Sequence, residues 1–402
     1  MGGTFRYLTR EQRGALGLIS ISQLLALSLW FSATAVAGPL VDEWSLSANG
    51  EAALTLSVQV GFVAGALGLA ILNVADIFPS RRIFFLSAMA GSLANLGLLL
   101  ISADTAWVAF VLRFATGVAL AGVYPSGLKV MAGWFREGRG MALGVLVGAL
   151  TVGSASPHLT RGLGLDWPGV IVASSVLAAA AGLLMSRISD GPYEVPVQRF
   201  RWDQVATVIG NRGVRLSTYG YLGHMWELYA MWTWIGAFVL ASAEVSGVSY
   251  GPVPVVTFLI IASGFVSCVW AGTLADRLGR TGIAGGALVI SGSCALLTPL
   301  VFGASPWIAL PVLFAWGLAV IADSAQFSAM VTETAEDRIR GTALTLQTAV
   351  GFLLTLVTIR GVPSIAEALT WRWAFPVLAV GPVLGVLAMR QLKRSGLLAV
   401  AA

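Results

Sequence analysis

Runs of 18 or more residues with almost no charge recur from one end of this chain to the other, and their length decides what the backbone can do. About 20 apolar residues in a helix cross the ~30 Å hydrocarbon core of a bilayer. Lipid offers backbone N–H and C=O groups no partners, so only helices and closed barrels span it. The runs are continuous rather than alternating, which selects helices. Composition agrees: hydrophobic residues are 57% of the chain and charged residues 11%, against roughly 25% charged in a soluble domain. A soluble protein of 402 residues could not cover its surface with so few charges.

Twelve segments follow, at about 15–39, 51–73, 83–103, 106–128, 140–161, 168–187, 215–240, 252–274, 282–303, 307–330, 341–361 and 373–391. The first comes after Arg6, Arg10 and Arg13, and Ala35-Val36-Ala37 mimics a signal cleavage site. An h-region is about 7–15 residues, so Gly14 to Ala37 reads as an uncleaved span. The one long polar connection, Ser189 to Arg212, holds Asp190, Pro192, Glu194, Pro196, Arg199 and Arg201. It divides the chain into a bundle at 1–188, a linker at 189–212 and a second bundle at 213–402.

Charge orients the chain. Loops on the side of the linker and both termini hold 20 of the 24 Lys and Arg, whereas the opposite loops hold Arg161, Arg372 and the border residue Arg360. Positive charge resists translocation, so the rich side is cytoplasmic and the setting is a cell (inner) membrane. The net charge of +5 follows from this bias. It does not call for a nucleic-acid partner. Cys268 and Cys294 lie in apolar runs and read as small core residues, with no disulfide framework.

The chain is also internally duplicated. Gly272-Thr-Leu-Ala-Asp-Arg-Leu-Gly-Arg280 is echoed by Asp76-Ile-Phe-Pro-Ser-Arg-Arg82, with Asp276 and Asp76 offset by 200. Arg139-Gly-Met-Ala-Leu143 reappears as Arg340-Gly-Thr-Ala-Leu344 at an offset of 201, and Gly117-Val-Ala119 as Gly317-Leu-Ala319 at 200. Six spans per half put the halves in one orientation, related by an axis along the membrane normal, with a solute site expected near the midplane between them.

Twelve spans, a central linker and the Gly-x-Leu-Ala-Asp-Arg-x-Gly-Arg turn between spans 8 and 9 resemble the major facilitator superfamily over essentially the whole chain. The first-half copy departs from that pattern, with Leu72 and Pro79 where glycines stand in the family. Arg113-Phe-Ala-Thr-Gly117 is similar to the Arg-x-x-x-Gly motif of span 4. The resemblance implies an all-α integral membrane protein with 12 helices in two pseudo-symmetric six-helix bundles. It implies a latch in which Asp76 (with Arg81) closes on the start of span 11 and Asp276 on the start of span 5, with Gly272, Arg277, Gly279, Arg280, Arg139 and Arg340 around them. An Asp at a helix end can accept from the amides of a neighbouring helix N-terminus and complement its dipole. The alternative makes these residues topology-setting charges alone.

Ionisable residues inside spans cost at least ~2.5–3.5 kcal/mol on insertion scales and so point to a task or a partner. His224 and Glu227 are three apart on span 7 and share a helix face. Met231 and Trp234 continue that face. Asp323 lies in span 10 and Arg113 in span 4. A Glu–His pair near the midplane suits proton coupling, and Arg113 suits an anionic solute or a carboxylate. The alternative is a structural ion pair. His158, beside Pro157 at the outer mouth, reads as structural. Trp30, Tyr124, Trp226, Tyr229 and Trp234 lie deep enough to line a cavity, although packing is the plainer reading. Gly144, Gly148 and Gly153 stripe span 5 and let helices approach.

Span 5 lacks the Gly-Pro and Gly-Gly pairs of drug–proton exchangers in the family. The stretch from Tyr124-Pro125 to Arg139-Gly140 looks more like the cyanate, nitrate and organic-anion permeases. No nucleotide-binding loop, metal-ligand spacing or cofactor motif occurs, and no nucleophile stands beside a base, so an enzyme is not expected. The sequence thus points to a monomeric secondary transporter, proton-coupled, with an anionic solute favoured. The alternatives are a proton-antiporting exporter of drugs or metabolites, and a sensor or assembly factor that carries nothing.

Overall fold

The computed structural model describes residues 8–193 and 200–398, apart from the side chains at 48, 75, 76, 276 and 277. Among these residues every regular element is helical. Eleven helices are long and apolar enough to cross a membrane. They are span 2, Asn49–Ile71; span 3, Ser80–Leu100; span 4, Ala103–Trp134; span 5, Arg139–Gly162; span 6, Trp167–Met185; span 7, Arg212–Ser246; span 8, Val253–Ala275; span 9, Arg280–Val301; span 10, Pro306–Thr334; span 11, Arg340–Leu369; and span 12, Trp371–Ser395.

Span 1 corrects the expectation of one helix over 15–39. Thr9 caps a helix at Arg10–Leu27, through a capping box with Gln12. The chain then turns over 28–33 before a 3-10 turn at Thr34–Val36 and a short helix at Ala37–Trp44. Local hydroxyls compete for the backbone here. Ser28 Oγ donates to the Leu25 carbonyl at 2.6 Å and Ser32 Oγ to that of Leu29 at 3.0 Å. Irregular backbone at membrane depth survives only where protein satisfies it, and Arg113 does so. Its guanidinium donates to the carbonyls of Leu29 (3.1 Å), Trp30 (2.6 Å) and Leu54 (3.4 Å), and to Ser32 Oγ and Asn95 Oδ1. The residue 200 positions later is Leu313, and span 7, the counterpart of span 1, runs unbroken over Arg212–Ser246.

The described parts of the linker, 189–193 and 200–212, lie at one end of the spans. Arg81 donates its backbone N–H to Asp190 Oδ1 and its guanidinium to the Ile188 carbonyl. Trp134 Nε1 donates to the Ser189 carbonyl, and the Arg201 N–H donates to Thr342 Oγ1. The opposite ends of the spans, where Arg360 donates to Asn49 Oδ1, form the far face.

The first six spans meet the last six along two seams, span 5 against span 8 and span 2 against span 11. Small residues set the first. A Cβ added at Gly272 would lie 2.4 Å from the Gly140 carbonyl oxygen, and one at Gly144 would lie 2.6 Å from that of Cys268. Both clashes are with backbone, which no rotamer change relieves. Gly272→Val is therefore expected to force the seam open, at a cost of about 1–3 kcal/mol. Thermal unfolding of the purified protein checks this, and an unchanged transition would mean that the seam tolerates a side chain.

The duplicated motifs have physical jobs. Gly117 lies against the Val58 backbone and Gly317 against that of Ile260, so the same glycine lets span 4 touch span 2 and span 10 touch span 8. Gly279 has φ +81° and ends the turn between spans 8 and 9, a conformation suited to glycine. The first half has Pro79 there and makes its turn instead with Asn73 at φ 51°.

Candidate functional site

Two side-chain assemblies and two adjoining cavities mark the candidate site. Span 7 supplies the first. Glu227 is buried and accepts from Ser291 Oγ of span 9 at 2.8 Å and from Trp316 Nε1 of span 10 at 2.6 Å. His224 Nδ1 lies 2.8 Å from Asp323 Oδ1, off the line of a well-formed hydrogen bond, and its Nε2 has no partner among the described residues. His224 and Glu227 thus do not pair with each other: one turns to Asp323, the other to Ser291 and Trp316. The helix of span 10 breaks at Asp323, between Pro306–Ala322 and Ser324–Thr334.

The second assembly is an aromatic cluster across the interface. Trp30 and Phe31 come from the interrupted segment of span 1 and Phe62 from span 2. Tyr229 and Trp232 come from span 7 and Phe352 from span 11. Ring centroids are 4.4 Å apart for Phe62–Phe352, 5.2 Å for Tyr229–Phe352, 5.5 Å for Trp30–Tyr229 and 5.7 Å for Trp30–Phe352. Trp30 and Tyr229 are 1% and 5% exposed, so they fill the centre rather than line an open space. Aromatic pairs in these arrangements add about 0.5–1.5 kcal/mol each beyond area burial.

Toward the far face lies a cavity of about 230 Å³, adjoined by another of about 300 Å³. Thr34 and Thr55, whose hydroxyls are 2.7 Å apart, line the first, as do Glu51, His158 and Trp234. Trp234 therefore does line a cavity, with its ring tied by Nε1 to the Ile359 carbonyl at 2.8 Å. Tyr124 is partly buried against the main core, and Trp226 donates to the Val377 carbonyl beside span 12. His158, read as structural, also borders the cavity, and its Nε2 has no partner among the described residues.

Arg113 is fully buried and lines neither cavity, and each of its nitrogens is engaged by acceptors of spans 1, 2 or 3. Asp76, Asp276 and Arg277 lie outside the described side chains. Their neighbours bond locally. Arg139 donates to the carbonyls of Ala132 and Phe135 at the end of span 4, and Arg340 to that of Thr332 at the end of span 10. Arg280 reaches Glu333 and Gln326.

A search confined to charges misses three glutamines. Gln23, Gln59 and Gln347, on spans 1, 2 and 11, are fully buried, and both amide atoms of each lack a partner among the described residues. An orphaned buried amide costs about 1–3 kcal/mol per group, so each needs an explanation. The sequence signal is a lone Gln in an otherwise apolar run. Among the described residues no group of His, Cys, Asp and Glu could hold a metal ion, and both cysteines are free and buried.

A family model described as Major Facilitator Superfamily matches residues 18–359. A search of the curated proteins found no match.

Proposed function

We propose, for a chain that belongs to the major facilitator superfamily, uphill movement of a small solute by alternating access, coupled to protons. The chain is a multi-pass membrane protein and members of the superfamily are transporters. The observation that carries the reading is the aromatic cluster. Its rings come from both sets of six spans and pack on one another across the interface, where a solute passing between the halves would have to part them. Rocking of one set against the other would part those rings. The solute would then meet Trp30 and Tyr229, and the unpartnered amides of Gln23, Gln59 and Gln347, near the midplane.

Proton coupling falls to Glu227, with His224 and Asp323 beside it on the same helix pair. The charge bias supports a cytoplasmic linker face, with both termini inside. The expectation of an anionic solute rested on Arg113 and on the likeness of the stretch from Tyr124 to Gly140 to anion permeases; the acceptors around that guanidinium weaken the first of these supports.

Proteoliposomes with a trapped pH dye test the proposal against organic anions, inorganic anions and organic cations. A solute-dependent pH change is the expected result. Binding without flux or proton movement would replace the transporter with a sensor.

A further inference from the structure

The far-face cavities carry a chemical signature that the transport reading leaves unused. Glu51 borders both, and Glu367 borders the second. None of the residues lining either cavity is Lys or Arg. The far-face arginines bond to neutral acceptors rather than to either glutamate: Arg161 donates to the Leu165 carbonyl, Arg360 to Asn49 Oδ1 and Arg372 to the Phe302 carbonyl. Among the described residues neither Glu51 nor Glu367 has an ion-pair partner.

Two buried acceptors at the same wall are also unused. Among the described residues, Thr257 is 1% exposed with an unpartnered Oγ1, and His158 is 8% exposed with an unpartnered Nε2. Such groups cost free energy unless a ligand or water completes them. The remaining wall is largely apolar, with two indoles among small and aliphatic residues. Trp234 and Trp371 border the second cavity with ring centroids 6.0 Å apart. Because the Trp234 N–H is taken by the Ile359 carbonyl, the ring has its π-face to offer. Indole faces attract cations.

We propose that this vestibule is a binding site for an organic ammonium ion. The cation would sit against Glu51 and the two indoles, with its N–H groups donated to Thr257 and His158. The inference rests on the transport reading only in treating the vestibule as the way to the midplane, and it names the solute class as cationic.

Calorimetric titration of the purified full-length chain tests this with three probes of nearly equal size. These are 2-phenylethylammonium, 2-phenylethanol and 3-phenylpropanoate, with charges of +1, 0 and −1. The cation is expected to bind at least about tenfold more tightly than the other two, as charged hydrogen bonds imply. Glu51→Gln should remove about tenfold of that preference, while Glu51→Asp retains most of it. Should Glu51→Gln fail to fold, Glu367→Gln at an exposed position is expected to weaken the cation by about threefold, the scale of an exposed charge pair. Equal binding of the three probes, no binding of the cation, or full affinity in both glutamine variants would overturn the proposal. Cation binding without flux would uphold the vestibule while removing the transporter. Proton-coupled flux of another solute without cation binding would do the reverse.

Discussion

Arg113→Leu is expected to cost the protein at least about 4 kcal/mol, and with it most of its folded yield. The guanidinium is fully buried and holds the carbonyls of Leu29, Trp30 and Leu54 together with Ser32 and Asn95. Leucine fills part of the volume and satisfies none of these groups. Each stranded acceptor costs about 1–3 kcal/mol; in the turn over 28–33 the Trp30 carbonyl loses the donor that replaces its helical partner, and that of Leu29 keeps only the Ser32 hydroxyl. Span 1 would have to rewind or leave them bare. Rewinding displaces Trp30 and Phe31 from the aromatic cluster, so the solute path is lost either way. Arg113→Lys should fall between, because an ammonium keeps the charge but has three donors in place of a five-donor fork. The measurement is the thermal unfolding and folded yield of both variants. If Arg113→Leu melts like the parent and loses only solute affinity, Arg113 serves the solute and the turn holds without it.

That arginine also shows where sequence reasoning stops. Apolar run length is a local property, so the spans were legible, and so was the duplicated turn with its two glycines. A glycine at φ +81° or against a neighbouring backbone leaves its mark at a single position. The interruption of span 1 left none of that kind. Its hydroxyls are common in membrane helices, and its essential partner is 83 residues away, from Trp30 to Arg113. A buried arginine read alone suggests an anion, and only the surrounding carbonyls assign it to the backbone. The i, i+3 spacing likewise placed His224 and Glu227 on one face but could not say which spans face them, and the two side chains diverge to separate partners. The glutamines are hard to single out in the sequence because an amide carries no charge and stands in an uncharged run. For membrane depth the unpaired amide is nearly as informative, since water is not there to satisfy it.

Glu227→Gln is expected to abolish proton-driven accumulation while leaving solute exchange intact. The surroundings make this substitution unusually clean. An ionised Glu227 accepts from both Ser291 and Trp316. A protonated one keeps the Trp316 N–H on its carbonyl oxygen and turns its O–H toward Ser291, whose hydroxyl can accept in place of donating. Glutamine reproduces that second pattern: its Oε1 accepts from Trp316 and its amide donates to Ser291. The variant should therefore fold, with the carboxyl frozen in its proton-loaded form. A pH step of about one unit is worth about 1.4 kcal/mol per proton, a tenfold accumulation if one proton is coupled. In proteoliposomes the parent should reach about that ratio and the variant about unity, whereas counterflow of labelled against unlabelled solute continues at a comparable rate. Trp316→Phe separates the roles further, since it removes one donor from the ionised form without fixing a proton on the acid. It should shift the pH at which accumulation appears and not eliminate it. Accumulation that survives in Glu227→Gln would move the coupling site to His224 and Asp323, whose 2.8 Å contact is the other proton-bearing junction between spans 7 and 10.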